Sequence, residues 1–484
     1  MKVYIQVFFI ILFFALQPAF AQKISSLKKE VLKEVDGLKP EVDEISEKLW
    51  DFSETALLEY KSCELLIGKL ESAGFSIEKN VAGMPTAFIA SYGSGEPVIG
   101  ILAEFDALPS VGNSAIPEKK ERADGITNGH GCGHNLFGAA CVSSAIAIRK
   151  VMETKKIKGT LRLYGCPAEE TVIGKVYMAK AGLFDDLDGA LHWHPGTENS
   201  AWNATGSAMN NFEIEFFGKS SHSARDPWNG RSALDALEML NFGVNQMREH
   251  VEPTARIHYV ITNGGVAPNV VPNYTKVWYF ARDIDRPRVE SHYSRILKIA
   301  EGAAMATETE FKVKLITGVH EVLPNLPLLK EVQKNMDAIG AISYTDEELK
   351  WAKELQKNSG KEEKGIKGEV RPLESEVPAE KGGGSTDVAE VSYITPTSGF
   401  RATTAPYGIP WHSWQAASSH GTTIGRKGAF YATKILAMTG IEMFTNPELM
   451  EAAKKDFLER TGGKPYKCPI PENQQPPIPE QKNP

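Results

Sequence analysis

The sequence predicts an α/β protein in which a domain with a central, mostly parallel sheet is interrupted by a smaller α+β domain of ferredoxin-like pattern. Three observations predict it. From residue 86 to 194, short apolar strands alternate with helices, as in parallel α/β layers. From 211 to 317 the order becomes strand, helix, strand, strand, helix, strand, the split βαβ pattern. After residue 325 helices return and complete the first domain.

The chain has 484 residues, 42% hydrophobic and 24% charged, enough for more than one core-bearing domain. Lys2 gives a short basic start, 3–16 is nearly all apolar, Pro18 breaks the run, and Ala19 and Ala21 supply the small residues a signal peptidase reads. This predicts a cleavable export signal over 1–21, with an uncleaved anchor as the alternative. Gln22 follows, not Cys, which argues against a lipoprotein. The expectation is a periplasmic or secreted protein, free of the membrane after cleavage.

Domain one is expected over 22–206. Leu27, Val31, Val35 and Leu38 recur at helical spacing, and a helix over 62–73 ends at Gly74. Strands follow at 86–92 and 97–103, then a small-residue helix at 138–152 and strands at 160–164 and 189–194. The inserted domain, expected over 207–320, carries strands at 211–217, 256–262, 275–281 and 310–317 and helices at 233–249 and 286–306. The first domain resumes over 321–461. Within it, 354–381 is rich in Lys, Glu and Gly and reads as a mobile surface insertion. The tail, 462–484, is rich in Pro, Gln and Asn and is expected to be poorly ordered.

The 54 Lys and Arg against 61 Asp and Glu, net −7, argue against a nucleic-acid binder and give no pull toward anionic lipid. Five cysteines are an odd number and sparse for an exported chain. At least one should be unpaired, and Cys132 is the one in a metal-like motif.

Four segments hold the polar residues of interest, most at strand ends, where α/β sheets bind ligands. An apolar strand ends in Glu104 and Asp106, two residues apart and so on one face; buried like charges need a cation or hydrogen bonds. The second segment, Asn128-Gly129-His130-Gly131-Cys132-Gly133-His134-Asn135, interleaves glycine with thiol and imidazole. Both are good transition-metal donors, and the glycines let Cys132 and His134 turn to one centre. In Pro167-Ala168-Glu169-Glu170, adjacent side chains on extended backbone point apart. One Glu can therefore ligate metal while the other serves as general base to a water. Scattered histidines complete the set: His192 and His194, read as one strand face, then His222, His412 and His420.

In this order, Glu104-Phe105-Asp106-Ala107-Leu108-Pro109, His130 to Asn135, Pro167 to Glu170, Asp188 to Pro195 and Gly264 to Pro272 resemble the aminoacylase/carboxypeptidase G-type metallo-amidohydrolases. Within that family the chain looks most like the branch of p-aminobenzoyl-glutamate hydrolases and of amidohydrolases acting on N-acyl and indole-acetyl amino acids. The resemblance implies a catalytic α/β domain capped by a smaller domain that often forms a dimer. It implies metal ligands at Cys132, His134, Glu170, His194 and His412, with Glu169 as general base and Asp106 orienting a ligand histidine. His194, six residues after Asp188, is preferred to His192, and His412, in its His-Ser-Trp context, to His420. His222 matches a histidine that stabilises the oxyanion, commonly across a dimer interface. Asn269 and Arg282 match residues holding the substrate carboxylate; their alternatives are a strand-end turn and a sheet-edge ion pair.

The sequence departs from the two-zinc peptidases of this family in two places. Glu104 stands where they have a ligand histidine, and Cys132 and His134 stand in the segment of their bridging aspartate. One or two divalent ions, Zn or Mn, are therefore expected. The implied reaction is hydrolysis of an N-acyl or N-aroyl amino acid, a small-molecule amide, by a homodimer or with a related partner subunit. A dipeptidase or carboxypeptidase on the same scaffold, or a non-catalytic partner subunit, are the alternatives. Trp193, Trp228, Trp411 and Trp414 are candidates to line an aromatic pocket.

Overall fold

The computed structural model describes residues 24–373 and 383–479. The expected export signal at 1–21 and residues 374–381 of the expected insertion lie outside the described residues. Helices α1 (Ser26–Gly37), α2 (Lys39–Phe52) and α3 (Tyr60–Ser72) lead into strands β1 (Ser76–Lys79), β2 (Phe88–Ser94) and β3 (Val98–Glu104). Then come α4 (His134–Lys155), β4 (Gly159–Cys166), α5 (Gly174–Lys180) and three short strands, β5 (Gly189–Leu191), β6 (His194–Gly196) and β7 (Ser200–Ala201). The inserted domain runs β8 (Ala208–Phe217), α6 (Ala233–Met247), β9 (Arg256–Asn263), β10 (Tyr274–Asp283), α7 (Arg286–Thr307) and β11 (Glu310–Val319). The chain returns through α8 (Leu326–Ile339), α9 (Asp346–Asn358), α10 (Val388–Ser392), β12 (Thr397–Ser398) and β13 (Phe400–Thr403). It ends with α11 (Trp414–His420), α12 (Thr423–Thr445) and α13 (Pro447–Thr461).

The central sheet has the order β1-β2-β4-β3-β5-β12. β4, β3, β5 and β12 are parallel, and β1 and β2 form an antiparallel edge. Every residue of β3 is buried, as a strand covered on both faces requires. The α1, α2, α4 and α12 helices pack on one face, and α5 and α10 on the other. Small residues let α4 lie close: a Cβ on Gly138 would sit 3.1 Å from the Glu104 carbonyl oxygen. That contact brings the start of α4 to the carboxyl end of β3.

The inserted domain is a four-stranded antiparallel sheet, β11-β8-β10-β9, with α6 and α7 packed on it. Its helices start where the sequence signals them. The Ser232 hydroxyl caps α6 and the Asp285 carboxylate caps α7, with Pro287 in the first turn; such caps are worth about 1 kcal/mol each.

Three expectations need correction. The strand expected at 189–194 is two strands in different sheets: β5 ends at Leu191, and β6 begins at His194 in a small sheet of order β6-β13-β7. Trp193 causes the break. It is fully buried between Phe137 and Phe400, and its indole N–H donates to the Phe137 carbonyl at 3.2 Å. His192 and His194 therefore share no strand face. Second, residues 354–358 of the expected insertion belong to α9. Gln356 and Ile366 are buried, and the Gln356 amide donates to the carbonyls of Gly365 and Tyr407 at 3.1 and 2.8 Å. Third, the tail to residue 479 lies against the body. Ile470 is buried, Lys180 donates to the Gln474 carbonyl, and the Gln474 amide donates to the Tyr177 hydroxyl and the Ile316 carbonyl, each at 2.8 Å.

Gly399, before β13, supplies a stability test. A Cβ there would fall 2.3 Å from Nε2 of His192, a ring buried to 3% exposure. Gly399→Ala is expected to cost about 2 kcal/mol by overpacking, read as a lower melting temperature. An unchanged melt would show that the His192 ring has room to move aside.

Candidate metal centre and active site

Two glycines let three distant segments converge beyond β3. Gly133 has φ +84, a left-handed value that glycine adopts freely, and a Cβ there would lie 2.8 Å from Pro195 Cγ. A Cβ on Gly131 would lie 3.2 Å from the Cα of His412. The 128–135 segment thus presses against both β6 and the 410–414 loop, and His412 N–H donates to the Gly131 carbonyl at 3.1 Å.

The donors meet there. Cys132 Sγ is 3.3 Å from His194 Nε2, and His412 Nε2 is 3.2 Å from Glu170 Oε2. Two triads with metal-ligand spacing share the thiol: Cys132, His134 and His194, and Cys132, Glu170 and His412. A third, Glu104, His134 and Glu169, adjoins them. His134 is fixed from behind, its Nδ1 2.8 Å from Asp106 Oδ1, and the other Asp106 oxygen accepts from Glu170 N–H at 2.9 Å. Asp106 therefore orients one donor from each triad, as partners behind metal ligands do.

The cluster fits a cation. His134 Nε2, Glu104 Oε2 and Glu170 Oε1 are buried without a hydrogen bond of good geometry, the first two only 3.2 Å apart. Donor atoms thus crowd one another with no proton-donating partner of their own, an arrangement a cation would relieve. Burial, with the charges of Glu104 and Asp387, holds the Glu169 carboxyl well above its ordinary range. Burial also raises Glu170, to about 8, with Asp106 and Glu104 adding to the effect. Burial and the Glu170 charge push the Cys132 thiol up. Burial alone would depress His134, but the Asp106 charge overrides it and leaves His134 raised. Lys175, fully buried, answers part of the negative charge through Glu104 (2.8 Å) and Asp387. A divalent ion would answer the rest, and thiolate, imidazole and carboxylate are donors for Zn or a similar ion.

The other candidates lie apart from the donors. His192 is buried against Trp202 and belongs to no donor group among the described residues. His420 is engaged elsewhere, with Nδ1 on the His130 carbonyl (2.7 Å) and Nε2 on Thr404 (3.1 Å). His222 and Asn269 sit together on the exposed outer part of the inserted domain, where Ser223 N–H donates to the Asn269 carbonyl at 3.1 Å. No hydrogen bond or ion pair among the described residues joins either to the donors. Arg282, on β10, is half-buried. Its charge reaches His412, which burial first, then His134 and Arg282, hold below its ordinary value. Of the tryptophans, Trp193 is core rather than pocket, Trp228 is 72% exposed on the inserted domain, and Trp414 packs near Leu355. Trp411 lies 6.3 Å from His194, ring to ring.

Sequence reasoning missed Glu59, Lys175, Asp387 and Trp202. Lys175 and Asp387 brace Glu104 from behind. Trp202 packs its ring 5.7 Å from His194 and carries the Arg401 guanidinium at 4.8 Å. Asp387 follows the run Gly382-Gly383-Gly384-Ser385-Thr386, a signal that could have marked it, whereas Glu59, Lys175 and Trp202 stand in no such pattern.

A thiol, imidazoles and carboxylates gathered at the carboxyl edge of a parallel sheet, beside a buried glutamate, in a chain that also carries an inserted α+β domain, define a metal-dependent hydrolase. The chain belongs to peptidase family M20/M25/M40, whose family model matches residues 100–455, and it is a metal-dependent amidohydrolase of that family. It is 37% identical over 454 residues to a p-aminobenzoyl-glutamate hydrolase subunit of Escherichia coli K12, covering 89% of this chain and 94% of that protein. It is 27% identical over 462 residues to the human Xaa-Arg dipeptidase, covering 90% and 93%. Its fold is like that of a dinuclear metal-binding M20 peptidase from Bacillus subtilis, with TM-score 0.52 at 18% identity over 83% of this chain and 99% of that one.

Proposed function

We propose that the protein hydrolyses the amide bond of N-acyl or N-aroyl amino acids, p-aminobenzoyl-glutamate among them, with Glu169 as general base. The observation that carries this reading is the pair of donor triads sharing Cys132, with Glu169 buried beside them. Cys132, His134 and His194 would hold one ion, and Cys132, Glu170 and His412 the other; Zn and Mn both suit the set. The bound metal supplies a polarised carbonyl and a water of lowered pKa. Glu169 takes the proton of the attacking water and returns it to the leaving amine. Asp106 keeps His134 and Glu170 aimed. Arg282 holds the substrate carboxylate in its guanidinium fork.

His222 and Asn269 face outward in this chain, and we assign them to the active site of a second protomer, where His222 would steady the oxyanion. Exposed Met239 and Phe242 on α6, and Val260 and Ile261 on the edge strand β9, support pairing through the inserted domain. A related partner chain is the other occupant, since the E. coli relative is named as one subunit of its hydrolase. Export through residues 1–21 would place the enzyme in the periplasm or outside the cell. Dipeptide hydrolysis is a second reading, favoured by the likeness to the dipeptidase.

A panel of N-acyl amino acids, p-aminobenzoyl-glutamate and dipeptides, offered to the metal-loaded protein, tests the reading. Hydrolysis of the acyl or aroyl amino acids is expected to lead. Preference for dipeptides would favour the second reading, and no hydrolysis with metal fully bound would favour a non-catalytic subunit.

A further inference from the structure

We infer that Glu59 is a positioning residue whose buried carboxylate holds the turn that aims Glu169 and Glu170. The inference rests on the reading of those two side chains given above. The turn is bracketed by two residues in the left-handed region, Ala168 at φ +56 and Val172 at φ +51. For a β-branched residue such as Val172 that conformation is rare, and it persists where the surroundings over-determine it. Gly174 closes the turn so tightly that a Cβ there would lie 2.0 Å from the Pro167 carbonyl oxygen.

Three buried side chains from three parts of the fold take up the turn's backbone groups. Asp106, beyond β3, accepts from Glu170 N–H at 2.9 Å. Thr317, on β11, donates to the Val172 carbonyl at 2.7 Å. Glu59, just before α3, accepts from Ala168 N–H at 2.9 Å and from the Thr86 hydroxyl at 2.8 Å. Asp106 also serves His134, whereas Glu59 gives Oε1 to the turn at Ala168 and Oε2 to Thr86. Glu59 is fully buried and makes no ion pair among the described residues. A buried carboxylate with no cation is expensive, and here it accepts from the N–H of the strained residue beside Glu169. Without it the Ala168 N–H is left unpaired and the turn can relax, carrying base and ligand with it.

Glu59→Leu is expected to lower kcat by about 10- to 100-fold, with KM within about threefold and the protein folded. It should also weaken metal at the Glu170 side, read by chelator competition with metal analysis. Glu59→Gln keeps an oxygen for Ala168 N–H and should restore both to within about threefold. In an Ala168→Gly background, where glycine holds φ above zero without strain, the Leu substitution should cost less. A packing role would cost the same in both backgrounds. If Glu59→Leu does not fold, Thr86→Val, which removes the second partner at constant volume, should move both readouts in the same direction. Parental kcat and parental metal affinity in the folded variants would overturn the inference. The metal readout stands even if no amide in the panel is hydrolysed, so failure of the hydrolysis reading is told apart from failure of this one.

Discussion

Glu169→Gln is expected to keep the full metal content and lose nearly all turnover, a fall in kcat of roughly 10²–10⁴-fold. The residue is 7% exposed, with Oε2 3.8 Å from His134 Nε2, next to the donors yet in neither Cys132 triad. Glutamine has the same shape and cannot take a proton, so the substitution removes the base and leaves the packing. Burial, with Glu104 and Asp387, raises the carboxyl's affinity for a proton. That suits a group that must accept one from water and hand it to an amine. Metal analysis and steady-state kinetics on one preparation check it. Substantial residual turnover would remove Glu169 from the role.

The second large effect is at Cys132. Because both triads share its sulfur, Cys132→Ser is expected to weaken metal binding by more than the roughly 10–100-fold typical of partners one layer behind a ligand, with loss of activity alongside. A neutral hydroxyl replaces a thiolate that would otherwise sit within reach of both ions. His194, 3.3 Å away, and His412 would each lose their common partner. If Cys132→Ser binds metal as tightly as the parent, Cys132 is no ligand.

The layered fold was legible because its signals are local. β3 is a continuous apolar run, and the inserted domain alternates strand by strand between capped helices. Cys132, His134, Glu169 and Glu170 were legible because glycine and carboxylate patterns lie side by side in the chain. What was missed depends on distant pairs. Lys175 and Asp387 meet across 212 residues, and Glu59 reaches Ala168 across 109, so no window of sequence contains both partners. The shared strand face of His192 and His194 failed because the burial of Trp193 turns the chain from one sheet into another. Composition misled at the tail and at residues 359–373, where a few anchors, Gln474, Ile470, Gln356 and Ile366, tie polar segments down. His222 and Asn269 were picked out only by their motif, and within one chain neither is joined to the donors among the described residues.

Stepwise reconstitution of metal-free protein with Zn or Mn, following bound metal and amide hydrolysis together, tests the central claim most directly. Hydrolysis should be absent without metal and should rise with occupancy to its full value at two ions per chain. Full hydrolysis by the metal-free protein, or none from protein loaded with two ions, would contradict it.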